Sequence, residues 1–434
     1  MDKMADVLGR AGAWCGQNKY LSAIKNAFQN FMPLTIAGAI GVLWCNVLVN
    51  DQTGLGLFFK PIMALDFLNP AFQAVNFCTI SCITVGITLG IAQEIGIWNM
   101  GAEKAGYIPG LVGLAAWLSV TNTSHMVDGA KEAFTGVAGN ELGATGLFTG
   151  MIIGVLSVEL FCFFEKQDAL KIKMPEQVPP GVARAFEVLV PATITLIITA
   201  CIGSACYNLT GLYLNDVIKN GIQGPLGAVG ATIPGVMIIY LVIMLFWLVG
   251  IHGNNMLSAV KEALFTPLAL ENVEAFNKGE TPKNIINMYA LQMWGEFGGS
   301  GVTIGLVIAI MIFGKREDNK AIASLSLVPG LFNINETVTF GIPMVLNPIL
   351  GIPFVVAPLI TIIIGYVLTV IGFCPVACLT VPWTTPPLVF GFLATGANIM
   401  GAVTQAILIV VSTVIYTPFL IAYEKYQNKQ AAEV

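Results

Sequence analysis

Charge is what this chain has least of. Of its 434 residues only 10% are Asp, Glu, Lys or Arg and 56% are hydrophobic, whereas ordinary soluble domains carry about 25% charged residues. A soluble fold of this length could not hide so much apolar surface, so a membrane protein is indicated. Basic clusters are also missing. With a net charge of −5 and no basic run, nucleic acid is not an expected partner. Histidine is scarce, with two in the chain, which leaves little for a metal site; neither metal nor cofactor is expected. The nine cysteines are scattered. Cys78 and Cys82, like Cys374 and Cys378, stand four apart, a spacing that suits one helix face better than a disulfide. With Cys45, Cys201 and Cys206 in apolar runs, they read as small packing residues. Residues 2–19 lack the continuous apolar core of a signal peptide and carry Asp2, Lys3, Asp6, Arg10 and Lys19, so a short amphipathic helix on the membrane surface is expected there. The longest polar stretch, 270–286, is too short for a soluble domain.

What the chain does have is apolar runs. Runs of roughly 20 residues suffice to span a bilayer. They occur near 26–49, 70–93, 107–122, 143–164, 186–207, 227–250, 299–314, 352–373 and 398–423. A further candidate at 376–397 is interrupted by prolines. The expected fold is therefore an all-α polytopic membrane protein with about ten transmembrane helices. Lysine and arginine cluster before the first run (Lys3, Arg10, Lys19, Lys25), after the fourth (Lys166, Lys171, Lys173, Arg184) and after the last (Lys425, Lys429). These regions, both termini included, should be cytoplasmic. Lys315, Arg316 and Lys320 argue for the same side, yet parity puts them outside if 376–397 spans fully and 251–266 is a re-entrant hairpin. Two halves are visible. Residues 1–210 hold five plain spans; 211–434, after a mixed connector at 211–224, hold interrupted spans and nearly all the unusual polar residues.

Five constellations stand out. In Pro329-Gly-Leu-Phe-Asn333-Ile-Asn335-Glu336-Thr337-Val-Thr339-Phe-Gly341-Ile-Pro343, helix breakers bracket a carboxylate, two asparagines and two threonines. A Glu in hydrocarbon costs about 2.5–3.5 kcal/mol, and broken backbone at that depth is tolerated only against protein or a cavity. The plainer reading, a Glu paired with Lys or Arg, finds no base nearer in sequence than Lys320. Desolvation is then expected to raise the pKa of Glu336 into a range where it can accept a proton. In Trp247-Leu-Val-Gly250-Ile-His252-Gly253-Asn254-Asn255, a span ends in open polar backbone around a histidine. His252 facing headgroups is the weaker alternative, and Trp247 is either an interfacial tryptophan or a face for a sugar ring. Val381-Pro382-Trp383-Thr384-Thr385-Pro386-Pro387 offers stacking and hydroxyls, or is only a rigid interfacial loop. Asn140-Glu141-Leu-Gly143-Ala-Thr145-Gly146 is either a ligand-facing turn or a capped helix start. Trp294-Gly-Glu296-Phe-Gly-Gly-Ser300 is read as structural. Glu159 and Glu187 have no assigned role beyond helix contacts, and His125, near Asp128, Lys131 and Glu132, reads as solvated. Trp faces, amides, hydroxyls, one His and one Glu suit a neutral, hydroxyl-rich ligand. An anionic one would want Arg or Lys.

Several of these blocks resemble the membrane component (enzyme IIC) of sugar phosphotransferase systems, in the lactose, cellobiose and diacetylchitobiose branch. They are Asn333-Ile-Asn-Glu336 with Phe340-Gly-Ile-Pro343, Leu346-Asn-Pro348 and Ile352-Pro-Phe; Trp247 to Asn254; Pro382 to Pro387 with Leu393-Ala-Thr-Gly396; Leu142 to Phe148; and Phe28 to Gly38. Thr337 departs from the family, which more often has Pro after the Glu. The resemblance implies a bacterial inner-membrane homodimer. Its amino-terminal half would be a scaffold and its carboxy-terminal half an elevator-like carrier with re-entrant hairpins near 251–270 and 324–350. It implies a β-linked disaccharide substrate and a separate cytoplasmic IIB protein, phosphorylated on cysteine, that phosphorylates the sugar. The expected site is Glu336 and His252 as chemical groups, with Trp247, Trp383, Asn140, Asn254, Asn333, Asn335 and Thr384 binding substrate. A buried Glu–His pair also suits a proton-coupled sugar symporter. A passive channel fits poorly, because the polar residues are clustered rather than continuous.

Overall fold

The computed structural model describes Arg10, Trp14 and residues 17–51, 55–125, 133–175, 177–225, 230–342 and 344–432. Most of the surface helix expected at 2–19 lies outside these residues, as do Asp128, Lys131, Glu132 and Pro343. The described chain is mostly helical. The only strands among the described residues are two two-residue ones, Ser124–His125 against Phe134–Thr135. His125 is packed rather than solvated: its ring lies on Phe134, with centroids 5.5 Å apart, and both ring nitrogens are within 3.4 Å of Asn122 polar atoms. The eight described cysteines are free.

The chain forms two compact units. The first comprises Gln17–Gly38 and Ala74–Ala228. It holds most of α1 (Lys19–Leu43), then α2 (Ile83–Met100), α3 (Ile108–Val120), α4 (Ala144–Glu165) and α5 (Pro180–Thr210). Between these helices there is no water to bind exposed peptide groups, and lipid is as apolar as leucine, so close packing and internal bonds must hold them. Small residues permit the approach: a Cβ at Gly113 would lie 2.3 Å from that of Ala92, and one at Gly150 would lie 2.2 Å from Thr88 Oγ1. Charge gathers in pairs. Glu165, 1% exposed, accepts Lys104 at 2.8 Å and Arg184 at 3.0 Å. Glu187 takes Arg184 at 2.7 Å, and Glu159 takes Lys19 at 2.6 Å. Glu159 and Glu187 thus gain structural roles that their positions in sequence did not reveal.

The second unit comprises Ala39–Gln73 and the chain from Val229 onward. Its helices are α6 (Ile233–Leu248), α7 (Gly253–Met256), α8 (Ser258–Asn277), α9 (Met288–Gly295), α10 (Ile304–Phe313), α11 (Glu317–Leu331), α12 (Glu336–Gly341), α13 (Gly351–Val370), α14 (Val389–Ala394) and α15 (Ile399–Ala432). Caps mark where the polar segments hand over to helix: Thr232 Oγ1 accepts Gly235 N–H at 3.2 Å, and Asn287 Oδ1 accepts Tyr289 and Ala290 N–H at 3.0 and 3.1 Å. Among the described residues, five helices are long and apolar enough to cross a membrane, or seven if two bent pairs count as single spans; the pair Met288–Val302 and Ile304–Phe313 turns by 60°. The shorter apolar helices are α3 and α6.

The candidate span at 376–397 is not a continuous helix. It is irregular chain with one six-residue helix, α14. The prolines remove the amide donors a span would need, and the backbone is instead bound by neighbours. Gln405 Oε1 accepts Leu388 and Gly391 N–H at 2.7 and 2.9 Å. This removes one premise of the parity conflict over Lys315–Lys320. Moreover, Glu424, near the end of α15, accepts Lys315 N–H at 2.9 Å, Arg316 N–H at 3.3 Å and Asn319 Nδ2 at 3.1 Å. Arg316 also reaches Asn428 at 2.8 Å. Residues 315–319 therefore lie at the same end of this unit as the carboxy-terminal helix end.

Glu424 is 5% exposed, so Glu424→Ala should strand buried donors and cost about 1–3 kcal/mol. Thermal melting of the detergent-solubilised protein should show a lowered Tm, with no change for Lys425→Ala on the exposed face.

Candidate functional site

The site begins where α6 breaks. Gly250 takes φ +82°, a conformation glycine adopts without strain. Gly253, the first residue of α7, folds back on α6: a Cβ there would sit 2.0 Å from the Ile243 carbonyl oxygen. Between them His252 caps α7, its Nδ1 accepting Asn255 N–H at 3.3 Å. With Nδ1 an acceptor, a neutral imidazole carries its proton on Nε2. That nitrogen faces Glu336 Oε1 at 3.7 Å, and the side chains are 36% and 47% exposed. The separation is too long for a direct hydrogen bond, but a single oxygen set to one side of the line joining the two atoms can lie about 2.8 Å from each.

Glu336 is brought there by a second break. Asn333, at φ +63°, and Asn335 precede α12, and Leu346 N–H binds the Leu248 carbonyl at the end of α6 at 2.8 Å. Both breaks meet a third, the glycine-rich turn at 298–300. Gly298 N–H donates to Asn333 Oδ1 at 2.6 Å, Asn335 Nδ2 donates to the Ser300 carbonyl at 2.7 Å, and Asn254 Nδ2 donates to Ser300 Oγ at 3.0 Å. Gly299 has φ +87°, and a Cβ there would lie 2.6 Å from Asn335. Asn333 Nδ2 also binds the carbonyls of Trp383 and, at 3.1 Å, Thr385. The fourth segment is thereby tied in, with Thr384 half-buried between these carbonyls and the Trp383 side chain 45% exposed.

Tertiary packing thus brings His252, Glu336, Asn254, Asn333, Asn335, Trp383 and Thr384 into one cluster within the second unit. It changes three expectations. Glu336 is half-open rather than held from water, because α12 starts at it and leaves the carboxylate at the helix end. Trp247 is 2% exposed; its ring packs on His252 at 4.4 Å and edge-on to Phe354 at 6.3 Å. It braces the imidazole and offers no open face, which leaves Trp383 as the aromatic surface. Asn140 belongs to the first unit, exposed on the short helix Gly139–Leu142. The asparagines, read as ligand-binding, spend amide groups in knitting the breaks together. The reading missed Ser300, the hub of those bonds, and Lys261, which is 7% exposed and ion-paired with Glu296, the residue read as structural. A lone Lys-Glu in the apolar run after His252 was the available signal.

A model of the family "Phosphotransferase system, EIIC" matches residues 25–358. The chain belongs to the phosphotransferase-system EIIC family. His252 and Glu336 lie inside the matched stretch. Among curated EIIC proteins, the chain is 33% identical over 429 residues to an oligo-beta-mannoside-specific EIIC component of Bacillus subtilis, covering 98% of this chain and 94% of that one. It is 30% identical to a cellobiose-specific EIIC component of Lactococcus lactis, covering 98% of each. Its structure is similar to the crystal structure of ChbC, the IIC component of the N,N'-diacetylchitobiose-specific phosphotransferase system, with a TM-score of 0.88 at 30% identity and 97% of both chains covered. This EIIC chain is accordingly a membrane protein of a bacterial sugar-transport family.

In this EIIC chain, Asn335→Ala should leave the buried Ser300 carbonyl without its donor. It should lower the Tm more than Ser300→Ala, which removes only a hydroxyl acceptor for Asn254.

Proposed function

We propose that this EIIC protein binds a β-linked disaccharide, carries it across the cytoplasmic membrane and presents its 6-hydroxyl to a phosphorylated cytoplasmic IIB protein. The observation that carries this reading is the open His252–Glu336 pair, with facing atoms 3.7 Å apart, and Trp383 exposed on the segment tied to it. The names of its relatives, specific for cellobiose, oligo-beta-mannoside, lichenan and N,N'-diacetylchitobiose, support the substrate class.

In this mechanism the apolar face of one sugar ring rests on Trp383, and free amide edges of the asparagine cluster meet hydroxyls. The 6-hydroxyl donates to Glu336 and accepts from His252 Nε2–H. Its oxygen attacks phosphorus on the IIB phosphocysteine, the S–P bond breaks, the thiolate leaves and the hydroxyl proton passes to Glu336. Phosphoryl transfer needs mainly positioning and charge stabilisation, so oriented side chains suffice. The product carries about −1.5 to −2 charges and is repelled by the Glu336 carboxylate once that proton is lost, which gives release a direction. The unit holding the site is the moving, elevator-like carrier; the other is the scaffold and contributes the homodimer contacts. The Lys- and Arg-rich loop after the fourth apolar run, residues 315–319 bound to the end of α15, and both termini face the cytoplasm.

Glu336→Gln should keep the shape of the site and bind cellobiose within a few-fold, while sugar-phosphate output falls by about 10²-fold or more. Vesicles supplied with phosphorylated IIB protein and labelled cellobiose read this directly, and undiminished output would remove Glu336 from the chemistry. Uptake by energised vesicles without any IIB protein would instead establish a proton-coupled symporter. Trp383→Ala should weaken cellobiose binding about 3- to 10-fold, in line with a lost aromatic contact, with folding intact; an unchanged Kd in calorimetry would make Trp383 a purely structural residue.

A further inference from the structure

The segment that carries Trp383 is held at both ends. In front, Asn333 Nδ2 donates to the carbonyls of Trp383 and, at 3.1 Å, of Thr385. Behind, a single side chain of α15 does the holding. Gln405, 1% exposed within that apolar helix, accepts Leu388 N–H at 2.7 Å and Gly391 N–H at 2.9 Å through Oε1. Its Nε2 donates to the Met293 carbonyl of α9 at 3.3 Å. A Cβ at Gly391 would lie 2.5 Å from the Gly401 carbonyl oxygen, so α14 and α15 meet backbone to backbone.

Between the two clamps, Leu388 stands at φ +73° and ψ −50°, in the region of the rare and strained γ-turn. Asparagine tolerates positive φ, as at Asn333, but a leucine there is an outlier. The Leu388 side chain is 42% exposed, so burial does not offset the strain. At Gly250, Gly298, Gly299 and Gly301 the same unit meets positive φ with glycine, which adopts it freely. Supplying an acceptor to two freed amides accounts for Gln405, yet it leaves a leucine at 388 unexplained. Strain of this kind persists only where the surroundings over-determine the conformation, and it gathers at ligand-binding positions.

We propose that Gln405 is a remote positioning residue for Trp383: it holds Leu388 in its strained turn and thereby fixes where the exposed Trp383 face stands. The role serves sugar binding, and in that it rests on the proposed use of Trp383 as the sugar-facing surface. The strain makes the posture of the segment conditional on the two Gln405 bonds. Without them Leu388 relaxes to negative φ, and the chain between it and the Asn333 clamp turns, Trp383 included. A face held ready before the sugar arrives removes an ordering cost from binding.

The chain has seven tryptophans, so ¹⁹F nuclear magnetic resonance of fluorotryptophan-labelled protein in detergent resolves Trp383, with Trp383→Phe assigning its signal. Gln405→Leu is close in shape and removes the acceptor. It should move or broaden the Trp383 signal and weaken cellobiose binding about 5- to 30-fold. Adding Leu388→Gly, which takes the same φ without strain, should bring back the signal and most of the affinity. A merely structural Gln405 would lower the Tm without that rescue. Glu424→Ala, toward the other end of the same helix, is the control: it should lower the Tm and leave the Trp383 signal and the Kd alone. Should Gln405→Leu fail to fold, Gln405→Asn keeps the amide one methylene short of the two N–H groups and should move the signal in the same way, again reversed by Leu388→Gly. A Trp383 signal unmoved in the folded Gln405 variant, or not restored by Leu388→Gly, overturns the proposal. The signal needs neither sugar nor IIB protein. A moved and restorable signal with an unchanged Kd would therefore count against the sugar-facing role of Trp383 alone, and weakened binding with an unmoved signal against the positioning role alone.

Discussion

The binding unit depends on one constraint: a broken helix inside an apolar environment must find partners for every peptide group it frees. The turn at 298–300 meets that demand for three breaks together. Its amide and carbonyl groups serve Asn333 and Asn335, and its serine hydroxyl serves Asn254. Glycine is required here because the side chain of Asn335 lies where a Cβ of Gly299 would stand. The asparagines act as cross-ties, since a primary amide offers donors and acceptors at once without bringing a charge into the membrane.

Those cross-ties explain why the chemical groups can be open. His252 and Glu336 are each more than a third exposed, but neither needs its facing atom to stay in place. The imidazole is held by Asn255 N–H and by the buried Trp247 ring; the carboxylate is held by the start of α12. Orientation comes from the scaffold around the pair, which leaves their facing atoms free for a ligand oxygen. Ion pairs are handled differently: the Lys261–Glu296 pair is withdrawn from solvent, and Glu165, 1% exposed, is held by both Lys104 and Arg184. The contrast separates the open carboxylate of Glu336 from the paired ones.

Much of this could be read from the chain alone. The scarcity of charge required a membrane protein, and the interrupted spans of the second half placed the unusual polar residues in broken helices. Glu336 and His252 stood out because a Glu or a Gly-Ile-His-Gly has no cheap structural use in an apolar run. The residue types could also limit the ligand to something neutral and rich in hydroxyls, and the order of the motifs was enough to suggest the family. These inferences rest on transfer costs and backbone bonding, which depend on residue type and near neighbours.

Distances and exposures belong to tertiary packing. No pattern in the chain could say that Trp247 would be shut behind the imidazole while Trp383 stayed open. Nor could it say that 376–397 would be bound backbone instead of a span, or that Glu424 would fasten Lys315–Asn319 to the end of α15. Lys261 and Glu296 lie 35 positions apart, and Ser300 lies 35 from Asn335. Such pairings depend on which helix lies beside which, and side-chain chemistry at one position carries no information about a neighbour supplied by a distant turn.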